Sequence, residues 1–171
     1  MPNPILALSL ANNFDAPVAA LAGIVGALAM LMVIYGGRAM GMTSMDLLRT
    51  LGTMAMPNGE KNVVYGIGLM MHLMMGAVLG VVHAGLLHAV GPTSEGGAVG
   101  WGILFGLGHG AMVAVMMPVM LTKVHPLVHS GELPDPGFAM TGMGKMTPAG
   151  ITMSHIVFAV VAGLIYTSTV G

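Results

Sequence analysis

The chain has no cysteine. That excludes disulfides, iron–sulfur ligation and thiolate zinc sites, and it leaves the redox compartment open. Charge is almost as scarce. Lys and Arg number 5 and Asp and Glu 6, together 6% of 171 residues, where a soluble domain carries about 25%. So few ions cannot solvate a globular surface. The net charge of −1 supplies no basic field, so no nucleic-acid partner is expected. The N-terminal stretch MPNPILALSLANNFD lacks a basic region and a clear small-residue cleavage site. It reads as a retained extramembrane start, as opposed to a signal peptide.

What is present is apolar. Hydrophobic residues make up 56% of the chain, and the mean hydropathy is +0.89. Four stretches, approximately 17–35, 63–90, 98–121 and 148–170, are long enough to cross about 30 Å of hydrocarbon as helices. Asp15 is placed to cap the first, with Pro17 in its first turn, and Thr147 with Pro148 opens the fourth. The length suits a single membrane domain. The expected class is therefore all-α, a polytopic four-helix membrane bundle in contact with the lipid bilayer.

The basic residues orient it. Arg38, Arg49 and Lys61 fall between spans one and two, and Lys123 and Lys145 between spans three and four. All five share one face, which the positive-inside rule makes cytoplasmic. Both termini and the short Gly91–Gly97 loop then lie on the non-cytoplasmic side of a cell inner membrane. In the first connection, an interfacial segment at 43–56, Thr43 or Ser44 can cap a short helix with Met45, Leu48 and Leu51 on one side. The second connection, 122–146, is rich in Gly and Pro and is expected to fold back against the bundle.

Gly68, Gly76 and Gly80 recur at four-residue steps with His72 in the vacant place, and Gly102, Gly106 and Gly110 run beside His109. Span one has Ala22 and Gly26, and span four has Ala159 and Gly163 above His155. Such small-residue stripes favour tight helix packing. His72 and His155 therefore point into the bundle, while His109 lies one step off its stripe.

Those three histidines carry the sharpest functional expectation, because an ionisable ring inside a membrane segment marks a site by default. Helical rise puts His72, His109 and His155 at roughly 15, 18 and 10 Å from the cytoplasmic ends of their spans. Imidazoles converging from three helices could bind copper, ligate a haem or relay protons. Met75 beside His72 and Met116 beyond His109 are softer candidate ligands, although Met also simply fills apolar gaps. His83 shares the His72 face, and His88 lies near the outer interface and is expected to be wet. His125 and His129 have i,i+4 spacing, but Pro126 interrupts a continuous helix between them, which weakens a metal pair. Each of these rings equally fits a plain hydrogen bond to a neighbouring helix, worth about 1 kcal/mol.

Catalysis has little support. Asp15, Asp46, Glu60, Glu95, Glu132 and Asp135 all lie in connections, so no intramembrane carboxylate pair exists. Ser154 points about 100° away from His155 on a helix.

The elements GMTSMDLLRTLGTM (41–54), MPVM (117–120), HPL (125–127), PGF (136–138) and GITMSH (150–155) resemble a group of small bacterial four-helix inner-membrane proteins of the domain-of-unknown-function type. The resemblance covers most of the chain and implies the topology but no activity. Three readings follow: a His/Met site for copper or haem, a non-catalytic accessory or scaffold subunit, and a small transporter or channel. Homo-oligomerisation or a membrane-complex partner fits the second.

Overall fold

The computed structural model describes residues 13–92 and 94–170. The extramembrane start expected at 1–12 lies outside them. Among the described residues the ordered elements are helical. They are α1 (Ala16–Ala39), α2 (Leu47–Ala55), α3 (Lys61–Val90), α4 (Glu95–Val124), α5 (Pro126–His129), a 3-10 segment (Phe138–Met143) and α6 (Thr147–Val170). Four of these, α1, α3, α4 and α6, are long and apolar enough to cross a membrane, and they pack together.

Their ends follow local chemistry. Asp15 caps α1 as expected, accepting the Val18 N–H at 2.9 Å. The capping of α2 differs from expectation. Its cap is Asp46, whose side chain accepts the Arg49 N–H at 3.2 Å. Thr43 and Ser44 are instead occupied by the Met143 carbonyl. The buried residues of α2 are Leu47, Thr50, Gly52 and Thr53; Met45, just before the helix, is buried as well, and Leu48 and Leu51 are half-buried. The Gly91–Gly97 loop is shorter than expected, because α4 begins at Glu95. Ser94 accepts the Gly97 N–H at 3.1 Å there. Pro118 sits inside α4 without ending it.

The chain divides into two compact units. The first draws on Met1–Met30, Leu73–Gly108 and His155–Gly171, and in it α6 is the central helix. A Cβ on Gly26 of α1 would stand 2.9 Å from the Phe158 carbonyl, and one on Gly102 of α4 would stand 3.1 Å from the Val160 Cα. On α3, Leu87 lies 3.3 Å from the equivalent position of Gly163. Gly23 of α1 meets Gly76 and Gly80 of α3 backbone to backbone, and Gly106 of α4 meets His155 and Ile156 in the same way. No side chain fits at these crossings, so glycine sets how close the helices come. Ala19, Ala22, Ala84, Ala162 and Tyr166 form a core cluster here.

The second unit comprises Leu31–His72 and His109–Ser154, and it contains all five Lys and Arg. Helix α2 lies on α3, with Gly52 against the Val64 carbonyl and Gly68 against that of Leu48. The Gly/Pro-rich connection folds back as expected, burying His125, Leu127, Leu133, Met140 and Met143. Its 3-10 segment is broken by Ala139 and Met140, which hold φ of +50° and +66°. That region is strained for residues with a Cβ.

Candidate functional site

Between α1 and α2, Asp46 gathers partners from several elements. It is 9% exposed, and a carboxylate so placed needs several partners. Tyr35 of α1 donates to it at 2.8 Å and Tyr65 of α3 at 2.5 Å. Arg38, from the last turn of α1, completes an ion pair with it. The Tyr35 hydroxyl oxygen also accepts the Leu48 N–H at 3.2 Å, so one phenol bridges the carboxylate and the helix it caps. Burial pushes the Asp46 carboxyl up. The bonds from Tyr65, Arg38, Tyr35 and the Arg49 N–H outweigh burial and hold it below the usual carboxylate range. The cluster keeps a charge buried at the turn from α1 into α2. Every donor around Asp46 thus anchors an element.

His125 anchors the other connection. It is fully buried and precedes α5, where its Nδ1 accepts the Leu127 N–H at 3.2 Å. Its Nε2–H donates to the Thr50 carbonyl of α2 at 2.9 Å, with the Thr53 hydroxyl at 3.3 Å. These partners assign the neutral Nε2–H tautomer. His129 is exposed and donates to the Thr122 carbonyl at 2.6 Å. The two rings of HPLVH therefore serve separate backbone contacts. Pro126 opens a new short helix between them, so they do not act as an i,i+4 pair.

In the first unit, the Tyr166 hydroxyl accepts the Asp15 N–H at 3.2 Å and pairs with His88 Nε2 at 2.7 Å. Phe14 packs edge-on to His88 at 5.2 Å. His88 was expected to be wet; it is half-buried and paired, because α6 brings Tyr166 beside it. His83 donates to the Leu79 carbonyl of its own helix at 2.9 Å and meets Phe158 edge-on at 5.2 Å.

His72 and His155 are buried, at 7% and 5% exposure. His72 fills the place the Gly68, Gly76 and Gly80 stripe leaves for it, and all four are buried. His109 is half-buried, one step from the buried Gly106 and Gly110 row. His72 and His109 belong to the second unit and His155 to the first. Each of the three has an interaction partner. Among the described residues no group of three or more His, Asp or Glu is arranged to hold a metal ion. Met75 and Met116 are each 58% exposed and do not share the buried stripes. The Asp46 and His125 networks were absent from the expected site. The only signal for them in the sequence was the quoted motif around Asp46 and the HPL element.

No family model, curated protein or solved structure matches this chain.

Proposed function

We infer that this chain is a non-catalytic, multi-pass component of a bacterial inner membrane that packs against a further helical chain. The Lys- and Arg-bearing connections face the cytoplasm in this reading, and both termini face outward, on the charge asymmetry alone.

One observation carries the packing role. Gly102 and Gly106 of α4 sit against α6, yet Gly100 and Gly108 of the same helix are exposed and meet nothing within 4 Å. A helical glycine costs about 1 kcal/mol relative to alanine, so glycine on an outer face is wasteful unless another backbone approaches it. Small residues on a membrane helix serve that close approach. Leu104, between the two glycines on the same row, and the neighbouring Leu107 and Met112 are exposed with them, which adds apolar side chains to the face. The polar side chains fit the same reading, since the Asp46, His125 and Tyr166 networks stiffen connections and helix ends.

The test is assembly size. Extracted from its own membrane in mild detergent, the chain should migrate in a complex larger than one copy. Replacing Gly100 and Gly108 together with Ile should dissociate that complex while leaving helix content unchanged. A wild-type chain that is monomeric under gentle extraction, or a complex indifferent to both substitutions, would rule the reading out.

A further inference from the structure

The donors outside the histidine pattern are thioethers. Of the 20 methionines, six fall in two short stretches: Met40, Met42 and Met45, and Met140, Met143 and Met146. These stretches stand a hundred residues apart in the chain, and the fold joins them. The Ser44 N–H donates to the Met143 carbonyl at 2.7 Å, and the Thr43 and Ser44 hydroxyls donate to the same oxygen at 3.2 and 3.1 Å. The Thr43 and Thr147 hydroxyls pair at 2.8 Å. Gly144, with φ of +132°, lies so near the Met42 carbonyl that a Cβ would stand 2.8 Å from it. The two stretches are thus pinned at the backbone, which limits where their side chains can go.

Three of the six, Met42, Met45 and Met146, line one cleft together with Val33, Ile34, Ile151 and the mutually paired Thr43 and Thr147. The cleft holds about 30 Å³, room for a single small ion or water. No carboxylate and no imidazole lines it. Met45 is 4% exposed, whereas Met42 and Met146 are 39% and 50% exposed. Met45 is therefore buried, and Met42 and Met146 are open to the surface. Met42 and Met146 precede or follow the apolar spans, so their exposure is not explained by contact with lipid tails.

We propose that Met42, Met45 and Met146 form a three-thioether site for a soft monovalent cation, Cu(I). Neutral sulfur donors in a mostly apolar cleft, whose two threonine hydroxyls are paired with each other, suit Cu(I) and offer little to hard divalent ions, which prefer oxygen ligands. The unbranched Met side chain, with three rotatable bonds, lets the two exposed ligands close on an ion that enters from the surface. The site stands apart from the packing role of α4, and its residues share nothing with the His72, His109 and His155 set.

The experiment uses the intact chain in detergent with methyl-labelled methionine and Ag(I), the redox-inert counterpart of Cu(I). One Ag(I) should bind per chain, shifting the ε-methyl resonances of Met42, Met45 and Met146, and Zn(II) should not compete. The Met42→Leu, Met45→Leu, Met146→Leu combination should lose binding. A control set on exposed helix faces, Met32→Leu, Met70→Leu and Met74→Leu, should keep it. Should the triple variant lose its helical signal, Met42→Leu and Met146→Leu decide singly, each weakening affinity more than about tenfold, the scale of losing even an outer-sphere partner. Absent Ag(I) binding by the wild type, unchanged affinity in folded cleft variants, or equal competition by Zn(II) would overturn the site.

Discussion

At the scale of single residues, Asp46 shows how a membrane protein keeps a carboxylate at the edge of its apolar spans. Arg38, Tyr35, Tyr65 and the Arg49 N–H converge on it, and their combined effect lowers its pKa below the ordinary 3.8. A carboxylate held low in the folded state stabilises above its unfolded value, and that contribution is lost as pH falls through the folded one. Wild-type thermal stability should therefore decline below about pH 4. Asp46→Asn keeps a capping oxygen but loses the ion pair. It should cost about 1–3 kcal/mol at pH 7, and circular dichroism melts should show a weaker acid dependence than in wild type. Equal acid dependence in the two proteins would remove Asp46 from this role. Asp15 was readable as a cap because it stands directly before an apolar run. Asp46 was not, since Thr43 and Ser44 are equally good caps by type. Only the distant Met143 carbonyl, which occupies both hydroxyls, leaves the position to Asp46.

At the scale of elements, glycine separates crossings from open faces. Gly106 lies against the backbone of α6, while Gly108, two residues on, has nothing within 4 Å. Gly106→Ala should destabilise by about 1–3 kcal/mol through overpacking. Gly108→Ala should be neutral or stabilising by about 0.5–1 kcal/mol, because alanine is the better helix former. Thermal melts of the two single variants in the same detergent check the contrast. The four-residue stripes in the sequence anticipated Gly102 and Gly106 as contact positions, as well as the inward place of His72. A short helix was expected within 43–56, and α2 lies there. Its buried face was not expected, since Thr50 and Thr53 look like solvent-facing residues until His125 arrives from α5.

At the scale of the whole molecule, topology remains a matter of charge. In the proposed orientation, a cysteine introduced at Lys61 or Lys145 should react with a membrane-impermeant thiol reagent only from the cytoplasmic face. One at Thr169 should react from the outer face. The absence of native cysteine makes each label unambiguous, and the reverse pattern would invert the orientation. The sequence by itself determined the membrane class, the four apolar helices and the small-residue rows, because hydrocarbon demands long apolar helices and local composition records that demand. Tertiary structure alone decided the partners. It tied His125 to Thr50, Tyr166 to His88, and the Met40–Met45 stretch to Met140–Met146. Such pairings join residues tens to a hundred positions apart, and hydrogen bonding and packing across elements leave no periodic trace in either partner.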